Sequence, residues 1–139
     1  MNIKGLTIEE KIGQMIIIGM DTNYITERIR TMIQKYKIGG IILYRKNFET
    51  YQDMLKLIKE LKELNKENKI PLFIAIDQEG GRVNRMPPEI KKLPSATQIA
   101  KIRRRRIYNK ISRNNRRNVK KIGNKFKFCA SIRYKEIWR

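Results

Sequence analysis

The fold is decided by one stretch, Ile70-Pro71-Leu72-Phe73-Ile74-Ala75-Ile76-Asp77-Gln78-Glu79-Gly80-Gly81-Arg82-Val83-Asn84-Arg85. Its apolar first half is typical of a strand buried on both faces of a parallel sheet. Its second half carries two carboxylates, two arginines and a Gly-Gly pair. Because ligands bind at the carboxyl ends of strands in α/β folds, the pattern predicts a candidate site there. A charged surface turn is the alternative interpretation.

The segments before this stretch repeat its pattern. Residues 15–19 and 38–44 are apolar and predict two more buried strands. Apolar residues recur at helical spacing over 23–35, which predicts an amphipathic helix. A second helix is predicted from the apolar stripe Met54, Leu57, Ile58, Leu61 and Leu64.

Helix starts are marked by two short motifs. Thr7 with Glu10 forms a capping box that opens a short helix through Gln14, and Thr50 with Asp53 resembles another cap. The predicted order is therefore a helix followed by β-α-β-α-β. Right-handed crossovers assemble such a chain into a parallel sheet.

The fold class is α/β, and two architectures fit three parallel strands. One is the start of a (β/α)8 barrel, made of its first three βα units, and the other is half of a doubly wound sheet. No Gly-x-Gly-x-x-Gly follows a strand, which argues against a dinucleotide fold. The pattern favours the partial barrel. Ser95 is placed to cap a further short helix that runs through Ala100.

The net charge of +20 is distributed unevenly. Residues 1–100 have a net charge of +5, whereas residues 101–139 have +15 and contain four consecutive arginines at 103–106. We therefore expect a folded region over 1–102 and a basic tail over 103–139 that is disordered or loosely helical. Three strands would leave the edge of the third unpaired, so we expect a marginally stable chain that is either monomeric or prone to aggregation.

Several classes of function are disfavoured by composition. Cys129 is the single cysteine and the chain has no histidine, so we expect no disulfide, no metal site and no cofactor. No apolar run reaches the roughly 20 residues that span a bilayer. The N-terminal residues lack a secretory apolar region, which predicts a cytoplasmic protein.

Three motifs, at residues 6–15, 38–43 and 76–83, resemble the N-terminal domain of family 3 glycoside hydrolases. They read Leu-Thr-Ile-Glu-Glu-Lys-Ile-Gly-Gln-Met, Ile-Gly-Gly-Ile-Ile-Leu and Ile-Asp-Gln-Glu-Gly-Gly-Arg-Val. The subgroup with the greatest resemblance is the β-N-acetylhexosaminidases that act on peptidoglycan fragments. The resemblance covers residues 6 to about 100. It implies a (β/α)8 barrel and retaining hydrolysis of a β-linked N-acetylglucosamine. A β-glucosidase-type member of the family is the alternative.

The resemblance also assigns sugar-binding residues. It implies that Asp77 accepts hydrogen bonds from sugar hydroxyls and that Arg85 contacts the sugar, roles that suit a carboxylate and a guanidinium. We expect Glu79 and Arg82 to pair within the loop rather than touch substrate. Arg45, after the second strand, is a weaker candidate and is more often a structural cation.

The family's catalytic groups have no counterpart in this sequence. The resemblance implies a histidine acid/base in a Lys-His-Phe-Pro-Gly-His-Gly type loop and an aspartate nucleophile in a later Ser-Asp-Asp loop. Neither motif is present, and the chain has no histidine. Retaining hydrolysis needs both a nucleophile and a proton donor. We therefore expect a truncated glycosidase chain that is inactive alone, or a half barrel completed by a partner.

The basic tail departs from the family pattern at Ile102. The family would continue with Ile-Gly-x-x-Glu-Glu, whereas this chain has four arginines at 103–106. One base gained in an A/T-rich gene turns Glu codons into Arg codons. When A/T-rich codons are assigned to residues 103–136 and read one base later, the translation gives Gly-Glu-Glu-Glu-Phe, an amphipathic helix and a segment that resembles the family's fourth strand. We hypothesise that 103–139 is a frameshifted translation. The alternative is a tail that binds nucleic acid or an anionic surface.

Overall fold

A parallel four-stranded sheet covered by helices forms the body of the protein. The computed structural model describes residues 5–92, 94–101 and 126–129. The strands follow the order β1-β2-β3-β4, and each pair is parallel. The elements are α1 (Ile8–Gln14), β1 (Ile17–Gly19), α2 (Glu27–Gln34), β2 (Gly40–Leu43), a 3-10 turn (Arg45–Asn47), α3 (Tyr51–Leu64), β3 (Phe73–Asp77), α4 (Ala96–Lys101) and β4 (Phe126–Cys129).

The predicted helix starts at Thr7, Thr50 and Ser95 are confirmed. The Thr7 hydroxyl accepts a hydrogen bond from the Glu10 amide, and the Glu10 carboxylate accepts one from the Thr7 amide in return. The same reciprocal pair joins Thr50 and Asp53 at the start of α3. The hydrogen bond from the Thr50 hydroxyl to Asp53 lowers the pKa of this carboxyl. Local sequence alone therefore fixes three of the helix starts.

The helix predicted over 23–35 is shorter than expected. It begins at Glu27 because the Thr26 hydroxyl accepts a hydrogen bond from the Ile29 amide at 3.3 Å and so occupies the N-cap position. The apolar residues before Thr26 belong to the preceding loop, although Ile25 still packs against the core. No helix within the described residues is long and apolar enough to cross a membrane.

The core lies between the sheet and helices α2 and α3. In the sheet register, Ile41 pairs with Ile74 and Leu43 with Ile76, and all four side chains are buried. Alternation along each strand sends these side chains to one face, where the helices cover them. The helical members of the core are Ile29, Ile33, Met54, Leu57, Ile58 and Leu61.

The first strand is more exposed than its apolar sequence predicts. Ile17 is 54% exposed and Met15, just before the strand, is 84% exposed, so the prediction of a fully buried strand over 15–19 is wrong. β1 pairs only with β2, and its other edge has no strand beside it among the described residues. The adjacent helix α1 presents Ile8 and Ile12 to solvent as well, at 71% and 55%. These four residues form an exposed apolar patch.

The edge of the third strand is paired, contrary to the prediction from the three-strand pattern. β4 lies parallel to β3, with Ile74 opposite Phe126 and Asp77 opposite Cys129. The partial-barrel prediction is confirmed for the three βα units, and the sheet continues by one strand inside the segment that we expected to be irregular. Residues 102–125 and 130–139 of that predicted tail lie outside the described residues.

Removing the cap of α3 should destabilise the fold. We expect Thr50→Ala to lower the free energy of unfolding by about 1 kcal/mol, because the Asp53 amide loses its acceptor. Thr31→Ala, in the middle of α2, is the matched control, since no hydrogen bond of its hydroxyl occurs among the described residues. Urea unfolding followed by circular dichroism measures both, and equal stabilities for the two variants would contradict the capping role.

The exposed patch of α1 and β1 should govern solubility. We expect the double variant Ile12→Gln and Met15→Gln to aggregate at a higher temperature, because it removes exposed apolar surface without touching the core. The double variant Ile12→Val and Met15→Leu keeps the patch apolar and serves as control. Light scattering during heating checks the prediction. An unchanged onset in the glutamine variant would show that aggregation starts elsewhere.

Candidate functional site

Asp77 is the last residue of β3, at the carboxyl end of the sheet. It shares a face of the strand with Phe73 and Ala75, opposite the face on which Ile74 and Ile76 meet the helices. The residue is half-buried, and its carboxylate has no hydrogen bond or ion pair among the described residues. The strand therefore ends in an accessible acceptor whose position is fixed by the sheet register.

Gln78 organises the loop that follows. It is 1% exposed, and its amide nitrogen donates to Asn84 Oδ1 at 2.6 Å. The amide oxygen accepts hydrogen bonds from the backbone N–H of Arg85 at 2.7 Å and of Met86 at 3.3 Å. One buried side chain thus closes the loop back onto the end of β3.

Two glycines make the turn inside this loop. Gly80 has φ of +81° and Gly81 has φ of +58°, the left-handed region that favours glycine. The Val83 carbonyl accepts hydrogen bonds from the backbone N–H groups of Glu79 at 3.2 Å and Gly80 at 3.0 Å, so the turn closes tightly. A Cβ on Gly81 would lie 2.6 Å from the Cβ of Ser95, at the cap of α4. Glycine is therefore favoured at both positions by the positive φ, and at Gly81 also by the close approach of Ser95.

Arg85 carries the site's one unsatisfied buried donor among the described residues. Its backbone N–H is held by Gln78, and its side-chain Nε is buried without a hydrogen-bond partner. A buried donor without a partner costs on the order of 1–3 kcal/mol, and more when it is charged. The acceptor that would satisfy this Nε is therefore not among the described residues.

The end of the loop is anchored to the core and to α3. Met86 is buried and belongs to the hydrophobic core. The Glu89 carboxylate accepts a hydrogen bond from the Tyr51 amide at 3.1 Å, at the first turn of α3. Between Gln78 and Glu89 the loop is thus fixed at both ends.

Arg45 follows β2 but turns toward its own loop. Its guanidinium donates to the carbonyl oxygens of Phe48 and Glu49, the latter at 3.1 Å, and lies over the Phe48 ring at 5.9 Å. These contacts favour a structural role for Arg45 over contact with a sugar.

Asn47 has a structural role that the sequence motifs did not reveal. It is 1% exposed, and its amide donates to the carbonyl oxygens of Met20 at 3.0 Å and Thr22 at 2.7 Å. Its oxygen accepts from the Tyr44 amide at 2.7 Å. Asn47 therefore ties the exits of β1 and β2 together, as Gln78 does for β3. The sequence feature that could have indicated this role is an asparagine shortly after a predicted buried strand.

The remaining polar residues at this edge lie at the surface. Glu79 and Arg82 are exposed in the glycine turn, and their mutual pairing stays a prediction.

Lys46 and Asp21 form an ion pair at 2.9 Å between the exits of β2 and β1. The hydrogen bond from Lys46 lowers the pKa of Asp21. No group of three metal-ligating side chains occurs within the described residues.

The chain is similar to known carbohydrate-active proteins over most of its length. The family model described as Glycosyl hydrolase family 3 N terminal domain matches residues 7–132. A β-hexosaminidase of Alkalilimnicola ehrlichii is 30% identical over 87 residues, which are 63% of this chain and 24% of that protein.

Solved structures show the same similarity. A family 3 β-N-acetylglucosaminidase from Paenibacillus has a TM-score of 0.65 and 32% identity, covering 68% of this chain and 18% of that one. NagZ from Neisseria gonorrhoeae, solved with N-trifluoroacetyl-D-glucosamine, has a TM-score of 0.56 and 32% identity over 63% of this chain and 25% of that one. The chain thus spans about a quarter or less of each relative.

Gln78 should be the residue on which the site loop depends most. We expect Gln78→Met to lower the free energy of unfolding by about 2–3 kcal/mol, because the amides of Arg85 and Met86 lose their buried acceptor. Gln52→Met, at an exposed position of α3, is the control for the same change. Urea unfolding checks the pair. A loss below about 0.5 kcal/mol at Gln78 would mean that the loop holds itself without this side chain.

Proposed function

The chain belongs to the family of glycosyl hydrolase family 3 N-terminal domains, and from that membership we propose that it is the sugar-binding N-terminal region of a β-N-acetylhexosaminidase. The substrate class is a glycan with a terminal β-linked N-acetylglucosamine. The similarity to a β-hexosaminidase and to a β-N-acetylglucosaminidase favours this class over a β-glucosidase. A cytoplasmic role in peptidoglycan recycling is the setting that we propose for it.

The observation that carries the proposal is the half-buried Asp77 carboxylate, which has no hydrogen bond or ion pair among the described residues and starts the loop that returns Arg85 to the end of β3. A carboxylate can accept hydrogen bonds from two sugar hydroxyls, and a guanidinium donates in a fixed fork. Gln78 holds the Arg85 backbone against the end of the strand that carries Asp77. We propose that a sugar bound at this edge contacts the Asp77 carboxylate and the Arg85 guanidinium. Glu79 and Arg82, at the exposed turn, would border it.

The chemistry of this edge is binding and orientation, not bond cleavage. Retaining hydrolysis of a glycoside needs a nucleophile on one side of the anomeric carbon and a proton donor on the other. We assign Asp77 to the sugar hydroxyls, and the 139 residues contain no histidine to act as the family's acid/base. We therefore propose that this chain alone binds the sugar without hydrolysing it. It would act as a monomer whose solubility is limited by the exposed apolar patch.

We also propose that residues 103–139 are translated out of frame. The excess of positive charge starts abruptly at Arg103, and the segment over 101–139 contains a single acidic residue, Glu136. Sequencing the purine-rich codons after Ile102 tests this directly. An additional base relative to sister genes is the expected result, and a gene that encodes the four arginines without a shift would overturn it. Nucleic-acid binding by this segment stays the alternative prediction.

Sugar binding should depend on Asp77 and Arg85. We expect Asp77→Asn and Arg85→Met each to weaken binding of N-acetylglucosamine by roughly tenfold or more, since a hydrogen bond to a charged group contributes about 1.5–3 kcal/mol. Ligand-detected NMR measures the affinity. Asp21→Asn is the matched control, because this carboxylate lies at the exit of β1 and pairs with Lys46.

Two results would contradict the assignment. Equal affinities for the Asp77 and Asp21 variants would place the sugar elsewhere. Release of nitrophenol from a chromogenic N-acetyl-β-glucosaminide by the purified chain, lost in the Asp77 variant, would show that the chain is a complete enzyme.

A further inference from the structure

Tyr44 extends the path of β2 toward the candidate site. It directly follows Leu43, the last residue of the strand, and its φ of −120° and ψ of 167° keep the backbone extended. In the sheet register Leu43 lies opposite Ile76, so the next position along both strands places Tyr44 beside Asp77. Neighbouring strands are about 4.8 Å apart. The tyrosine and the carboxylate therefore occupy adjacent positions at the carboxyl edge of the sheet.

The Tyr44 side chain shares the Asp77 face of the sheet. Leu43 and Ile76 are buried in the core, and strand alternation sends the next residue of each strand to the opposite face. The position of the ring agrees, because a Cβ on Gly19 of β1 would lie 3.0 Å from Tyr44 Cε2 and 3.8 Å from its hydroxyl oxygen. The ring therefore extends from β2 over Gly19, where the lack of a side chain leaves room for it.

The ring has no polar or aromatic partner, although the backbone of Tyr44 is held firmly. Its N–H donates to Asn47 Oδ1 at 2.7 Å, and its carbonyl oxygen accepts from the Asn47 N–H at 3.0 Å. Among the described residues, the hydroxyl makes no hydrogen bond and no cation or second ring packs on the aromatic face. The side chain is half-buried. A fixed backbone thus presents an aromatic surface that the fold itself leaves partly uncovered.

This surface adds an apolar group to a site whose other groups are charged. Asp77 supplies an acceptor and Arg85 supplies donors, whereas a sugar carries hydroxyl groups at its rim and C–H groups on its faces. Ligand sites combine aromatic surface with a few polar groups that fix orientation. The ring leans toward β1, and β1 and β3 are two strand spacings apart, roughly 10 Å. An area of the sheet face that can hold a hexose therefore lies between the ring and the carboxylate.

We propose that Tyr44 is a further substrate-binding residue, whose ring packs against the C–H groups of the bound N-acetylglucosamine. Asp77 holds the hydroxyl groups at one side of the sugar, and the ring supports its apolar face. Gly19 is a positioning residue, since it gives the ring its place over β1. This inference rests on the proposed function and deepens it.

Affinity measurements with the full chain separate the ring from its hydroxyl. We expect Tyr44→Leu to weaken binding of N-acetylglucosamine roughly fivefold or more, because it removes the flat aromatic surface. Tyr44→Phe keeps the ring and should stay within about twofold of the wild type. Tyr36→Leu, at an exposed tyrosine after α2, is the matched control and should have no effect. Ligand-detected NMR measures the affinities, and circular dichroism confirms that each variant is folded.

Gly19→Ala moves the ring without removing it. The new Cβ would approach Tyr44 Cε2 to 3.0 Å, which is closer than side chains normally pack, so the ring has to shift. We expect this change to weaken sugar binding roughly threefold in the wild-type chain and to have no further effect in the Tyr44→Leu variant. Residues that act through one contact show such non-additive effects, whereas independent effects add.

A nuclear Overhauser effect between the Tyr44 ring protons and the C–H protons of the sugar would demonstrate the contact directly. Its absence in a chain that binds the sugar would overturn the proposal. Unchanged affinity in Tyr44→Leu, or equal losses in Tyr44→Leu and Tyr44→Phe, would overturn it as well.

The same measurements distinguish this inference from the proposed function. Weaker binding in Asp77→Asn together with unchanged binding in Tyr44→Leu contradicts only the role of Tyr44. Unchanged binding in Asp77→Asn contradicts the assignment of the sugar to this edge. No binding of N-acetylglucosamine by the wild-type chain would overturn both.

Discussion

The site of this protein depends on one buried amide, the side chain of Gln78. It directly follows the last residue of β3, and it satisfies two backbone N–H groups that would otherwise be buried without partners. Each buried donor left without an acceptor costs on the order of 1–3 kcal/mol, so loop conformations that break these two hydrogen bonds are disfavoured. This closure holds the backbone of Arg85 and Met86 at the end of β3, whereas the glycine turn is closed by the Val83 carbonyl. Asn47 has the same role after the preceding strand.

The parallel register of the sheet fixes the position of the strand end onto which this loop closes. Ile74 and Ile76 face the helices, so strand alternation places Asp77 on the other face at the carboxyl edge. The loop brings Arg85 back to the same edge. The chemistry is then that of a bidentate acceptor and a guanidinium fork, which is suited to holding hydroxyl groups. The fold thus supplies position, and in the proposed function the two side chains supply recognition. The sequence has no histidine, the residue type that the family resemblance implies as acid/base.

Much of this could be predicted from the sequence, and the exceptions have physical reasons. Helix caps are local interactions, so the roles of Thr7 and Thr50 could be predicted directly. The exposure of β1 could not, because an apolar run does not reveal whether a neighbour covers it, and Ile17 is largely exposed. β4 was missed because the net charge of +15 over residues 101–139 predicted a disordered segment, although the alternation of lysine and phenylalanine at 125–128 is typical of a half-buried strand. Asp77 and Arg85 were suggested by family motifs, whereas the roles of Gln78 and Asn47 required knowledge of which backbone groups lack partners.

Gln78 fixes the site loop against the end of β3. Hydrogen exchange of the Arg85 and Met86 amides, followed by NMR, tests it most directly. Both amides donate to one buried oxygen, so we predict that they exchange as slowly as the amides of β3 itself and that Gln78→Met exposes both together. The amide of the exposed turn residue Arg82 provides the reference for a free loop. Exchange of the Arg85 and Met86 amides as fast as that of Arg82 in the wild-type chain would contradict this role of Gln78.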